Sequence, residues 1–150
     1  MITTAILIAT VGACFLLGRR GVSSFGWKQW ALRVLVALPL FASGVAHITM
    51  TALFATIVPP FFPFRSQLVV LTGAMELAGA IGLFLPAFTR QASVCLALLM
   101  IAIFPANVYA ANQVVGGLHM PGVPVRTAMQ VVYIVLLLVA GWGTPASPSI

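Results

Sequence analysis

The chain has 150 residues, of which 62% are hydrophobic and only 5% charged, and its mean hydropathy is +1.17. A water-soluble domain carries about 25% charged residues, so this composition excludes a chain that covers itself with a charged surface and predicts one that sits in a bilayer. Seven basic residues stand against one acid, a net charge of +6. Because the basic residues flank apolar runs, they read as topology signals and lipid headgroup contacts, and no nucleic-acid partner is expected.

Five apolar runs follow one another. The first, Ile2 to Leu17, ends at Gly18, Arg19 and Arg20. It is somewhat shorter than the 20 or so residues of a standard span. Its charges follow the apolar stretch instead of preceding it, unlike those of a signal peptide, so residues 1–18 read as a retained N-terminal anchor helix. The second run, Trp30 to Val58, closes on IVPPFFPF. Pro59, Pro60 and Pro63 lack amide donors and end the helix, and Phe61, Phe62 and Phe64 suit an interfacial position. Pro39 predicts a kink, since it leaves the Leu35 carbonyl without its helical donor. The third run, Ser66 to Leu85, contains TGAMELAGAIGLFLP (residues 72–86) and is followed by Pro86 and Arg90. The fourth, Gln91 to Gln113, has Pro105 inside it and a second predicted kink. After the Gly- and Pro-rich loop VVGGLHMPGVP comes the fifth, Val125 to Trp142, and then a short Gly/Pro/Ser tail.

Long apolar runs with mostly short connections predict helices, because backbone groups in lipid must be satisfied within each segment. The alternating segments of a β-barrel are not seen, and no internal repeat suggests an inverted-repeat transporter. The expected fold is an all-α, polytopic transmembrane helical bundle: four core helices over residues 31–142 plus the short N-terminal helix, five spans in all. With the N-terminus outside, Arg19, Arg20, Lys28, Arg33 and Arg90 fall on the cytoplasmic side and only Arg65 and Arg126 outside, which satisfies the positive-inside rule; the C-terminus is then cytoplasmic. Cys14 and Cys95 lie in different runs, with no CxxC and no Cys/His cluster. Neither a disulfide framework nor a metal site is expected.

The single acid, Glu76, sits mid-run, where a charge is most costly. At 1.5 Å per residue, Glu76 lies about 15 Å below the outer end of the third helix and His47 about 18 Å below the same face of the second. Helices joined by a short loop pack as antiparallel neighbours, so the two are expected to meet. Thr72, Gly73, Gly79 and Ala80 share the face of Glu76, and Ser43, Gly44 and Thr51 that of His47. These small or hydroxylated faces permit close approach. Asn107 is about 9 Å deep in the fourth helix. Arg126 opens the fifth, with Gln130 one turn below it. Glu76, His47, Asn107, Arg126 and Gln130 are expected to line one cavity open to the outer face.

Plainer roles exist for each. Glu76 serves equally as a packing hydrogen bond and His47 as a satisfied core histidine. Asn107 fits a carbonyl freed by Pro105, Arg126 an interfacial topology residue, and Gln130 interhelical glue. Tyr109 and Tyr133 fit belt or packing positions, and His119 a solvated loop.

The order SGVAHIT (43–49), IVPP (57–60), TGAMELAGAIGLFLP, FPANVYAA (104–111) and PVRTAMQ (124–130) resembles the DoxX-like small bacterial membrane proteins over roughly residues 31–140. The resemblance implies a helical bundle in the bacterial inner membrane and an association with quinone-linked oxidoreductases or other redox partners. The positions that match the family's polar motifs are His47, Glu76, Asn107, Arg126 and Gln130. The absence of paired cysteines speaks against thiol exchange.

Three functions follow as expectations. In the first, the chain is a binding or accessory subunit. Glu76 and His47 hold the polar head of a small lipid-soluble molecule such as a quinone, none of it covalently bound. Arg126 guards the entrance, with Asn107, Gln130, Thr72 and Tyr109 beside it. A membrane redox partner or a second copy completes the assembly. In the second, Glu76 and His47 are a catalytic acid/base pair that isomerises or protonates a lipophilic substrate. In the third, the pair relays protons in a small transporter, against which stand the apolar inner halves of the helices.

Overall fold

The computed structural model describes residues 26–142. The readings made for residues 1–18 and for the terminal tail lie outside them. The described residues form six helices and one short hairpin: α1 Trp27–Thr49, α2 Thr51–Ala55, α3 Arg65–Gly82, α4 Thr89–Ala102, α5 Phe104–Tyr109, β1 Val114–Val115, β2 Leu118–His119 and α6 Val123–Trp142.

Local chemistry sets the breaks. The helix of the second run continues through Pro39 and ends at Met50. There the Thr51 hydroxyl donates to the carbonyls of His47 and Ile48, at 2.8 and 3.0 Å, and competes with the backbone ladder. The fourth run is divided, not merely bent. Pro105 has no N–H to continue α4, and it sits instead in the first turn of α5, where a missing donor costs nothing. Gly116 and Gly117 both have positive φ (+57° and +80°), which a tight two-residue hairpin turn requires.

The four long helices form a closed ring of antiparallel neighbours. Gly44 of α1 meets Gly73 and Leu77 of α3. Gly79 and Gly82 of α3 face Leu96 and Ala92 of α4. The Ser93 hydroxyl of α4 donates to the Leu137 carbonyl of α6 at 2.6 Å. The ring closes where Arg33 Nε of α1 donates to the Ala140 carbonyl of α6 at 3.2 Å and Tyr133 of α6 donates to the Val36 carbonyl of α1. Val36, Leu40, Ala80, Leu83, Leu96 and Leu137 fill the centre. Lys28, Arg33 and Arg90 thereby share one end of the bundle with Trp142, against whose ring Arg90 packs at 5.2 Å. Arg65 and Arg126 share the other end.

Two helices, α1 and α6, are long and apolar enough to cross a membrane. Only 28% and 17% of their most apolar stretches are buried inside the structure, whereas the core helix of a soluble protein is mostly buried. Leu38, Phe41 and Val45 of α1 and Val131, Val135 and Val139 of α6 point outward, the pattern of helices solvated by hydrocarbon. The expectation of five spans is corrected here. Helix α3 carries Arg65, Gln67 and Glu76 within its 18 residues and is not among the candidate spans. Helix α4 has only 14 residues, because the apolar run that contains it is cut before Pro105. Apolar run length overstated helix length.

Candidate functional site

Helices α1 and α3 pack closely at Gly44 and Gly73, and this contact brings the expected pair together. A methyl group on Gly44 would stand 2.7 Å from the Gly73 carbonyl, and one on Gly73 would stand 2.6 Å from His47 Cβ. Glycine at both positions lets the helices touch. The register of that contact sets His47 Nδ1 at 3.4 Å from Glu76 Oε2. Glu76 is 2% exposed.

His47 Nδ1 also lies 2.8 Å from the Ser43 carbonyl and 3.3 Å from the Ser43 hydroxyl, both one turn back on α1. The Phe54 ring of α2 stacks on the imidazole, with centroids 4.3 Å apart. Leu53, next in α2, packs under the hairpin turn at Gly116, so α2 and the hairpin cover this end of the pair. Glu76 Oε2 is buried, and no described residue hydrogen-bonds it; the His47 imidazole stands beside it, with Nδ1 3.4 Å away.

Asn107, Arg126 and Gln130 form a separate cluster. Asn107 Nδ2 donates to Gln130 Oε1 at 2.6 Å. Arg126 Nη2 donates to Asn107 Oδ1 at 2.7 Å, and Arg126 Nε to the Asn107 carbonyl at 2.9 Å. Gln130 Nε2 donates to the Met100 carbonyl in the last turn of α4, and Arg126 Nη1 contacts Met120 Sδ at 3.5 Å. The end of α4 and the short α5 leave carbonyls without helical donors, and α6 supplies side chains to them. The chemistry of this cluster is fastening.

The expected single cavity is therefore replaced by two polar clusters. Two apolar grooves lie elsewhere. One runs between α1 and α3 along Ala37, Phe41, Ala80 and Phe84; the other runs between α3 and α4 along Met75, Gly79, Phe88 and Cys95. Neither is lined by Glu76 or His47. Thr72 turns its hydroxyl to the Val69 carbonyl at 3.0 Å. The Tyr109 side chain is exposed, and His119 sits in the exposed hairpin.

Three residues take roles that were not among the expectations. Phe54 stacks on His47 across the break at Met50. Tyr133, read as packing, bonds a backbone carbonyl one residue from the Leu35 carbonyl that Pro39 deprives of its donor. Arg33, read as a topology charge, is buried at 1% exposure against the carbonyl end of α6, where a cation complements the helix dipole. Its spacing to Val36, Ala37 and Leu40 on one helix face was the available signal.

Fold and site together define an all-helical protein with two candidate membrane-crossing helices and one buried carboxylate–imidazole pair. The family model for a domain of unknown function (DUF8561) matches residues 36–141, most of the chain, and the chain belongs to that family. No curated protein and no solved structure matches.

Proposed function

We propose that this is a membrane protein that holds the polar end of a small lipid-soluble molecule at Glu76 and His47. The observation that carries this reading is the buried Glu76 oxygen that no described residue hydrogen-bonds. A carboxylate held in an apolar interior with one long contact costs several kcal/mol unless its surroundings are completed. Its neighbour His47 keeps an open edge, so a polar ligand at that edge completes the pair. A few convergent polar groups in apolar surroundings are the ordinary composition of a small-molecule site.

Helices α1 and α6 cross the bilayer, with the end that carries Lys28, Arg33 and Arg90 on the cytoplasmic side of a bacterial inner membrane. The resemblance of residues 31–140 to DoxX-like proteins supports a quinone-like ligand and an accessory role beside a redox partner. The test is mass spectrometry of small molecules extracted from the purified protein, wild type beside Glu76→Gln. The expected result is a lipophile present with wild type and lost from the variant. Identical extracts from two equally folded proteins would sink the reading.

A further inference from the structure

The orientation of His47 restricts what the site recognises; this rests on the reading above and adds the chemical class of the ligand. Nδ1 faces three oxygens: the Ser43 carbonyl at 2.8 Å, the Ser43 hydroxyl at 3.3 Å and Glu76 Oε2 at 3.4 Å. A carbonyl and a carboxylate only accept hydrogen bonds. The proton of a neutral imidazole is therefore assigned from this network to Nδ1. Nε2 is left as a lone pair, and no described residue donates to it.

The remaining geometry locates that lone pair. The Cβ side of His47 abuts Gly73, one ring face lies under Phe54, and the Nδ1 side faces Ser43 and Glu76. The 16% of the side chain that stays exposed is then the edge that bears Nε2. We propose that His47 Nε2 is the ligand contact, that it accepts a hydrogen bond from a hydroxyl on a lipophilic molecule of the phenol class, and that Glu76 is a positioning residue. The Ser43 carbonyl accepts the Nδ1 proton at 2.8 Å, the Glu76 carboxylate 3.4 Å away favours it there by charge, and Glu76 does not itself touch the ligand. An O-alkylated analogue, or the oxidised carbonyl form of a quinone-like molecule, gives Nε2 nothing to accept, so within that class the hydroxyl-bearing reduced form is the one held; an acceptor covered by a ligand that brings no donor discriminates against that ligand.

The test uses one matched ligand pair on one folded protein. Full-length protein in lipid nanodiscs is titrated with 4-nonylphenol and with its methyl ether, which differ only in the donor. The wild type is expected to bind the phenol about ten-fold or more tightly than the ether. His47→Phe is expected to bind the two alike. Glu76→Gln, which removes the charge that favours the Nδ1 proton and can present an N–H to that nitrogen, is expected to weaken the preference while retaining the ether's affinity. Equal wild-type affinities that both fall in His47→Phe would overturn the donor assignment and leave the site standing. No binding of either compound by the wild type would overturn the assignment and the site together.

Discussion

Gly73→Ala drives α1 and α3 apart and costs about 1–3 kcal/mol, the usual range for forcing a methyl into filled space. The added carbon meets His47 Cβ at 2.6 Å and the Gly44 carbonyl at 3.0 Å. One of these is backbone and the other the root of a side chain, so neither can swing aside as the tip of a flexible chain does. The helices must separate, and the 3.4 Å contact between His47 and Glu76 lengthens with them. Thermal unfolding in detergent is expected to move down by several degrees, and the bound lipophile is expected to be lost. Gly26→Ala is the control: a methyl there meets nothing within 4 Å, and stability and ligand should both be retained. An unchanged midpoint in Gly73→Ala would show that α1 and α3 do not approach as described.

The second large effect is expected at Asn107. Asn107→Leu keeps the volume and removes both side-chain bonds, to Gln130 and to the Arg126 guanidinium. Each buried polar group left without a partner costs about 1–3 kcal/mol. Gln130 is buried, whereas Arg126 is half-buried and regains some hydration, which places the sum near the lower half, about 2–3 kcal/mol. For a chain of this size that lowers the unfolding midpoint by about 5–10 °C. The ligand extracted with the folded protein should be unchanged, because this cluster fastens α5 to α6 and stands apart from Glu76. Loss of the ligand from a variant that stays folded would join the two clusters into one functional site.

The meeting of Glu76 and His47 was legible because it needed only two facts. They lie at similar depth on consecutive long helices, and glycines flank both on the contact face. The grouping of Asn107, Arg126 and Gln130 was legible for the same reason of depth. The number of spans was not. A hydropathy run counts apolar residues across a break, and the breaks at Met50 and before Pro105 depend on local hydrogen bonds that hydropathy does not register. Polar residues inside α3 act in the other direction, since Glu76 is buried in the bundle and still lowers that helix's claim to a span. The stacking of Phe54 on His47 was hidden because it follows from the same break, which folds α2 back over the end of α1. The burial of Arg33 was hidden because a basic residue near a helix start can mark topology and also cap a neighbouring helix, and the second use depends on the packing of α6.

The most direct test of an occupied site at Glu76 uses the chain's single acidic side chain. A lipophilic carbodiimide couples to carboxyl groups from within the bilayer, and peptide mapping separates modification of Glu76 from that of the C-terminal carboxylate. In membranes that retain their native small molecules, Glu76 should be protected. After those molecules are extracted and the protein is returned to pure phospholipid, its modification should become several-fold faster. Equal rates before and after extraction would contradict the account, because nothing would then be occupying the Glu76–His47 pair.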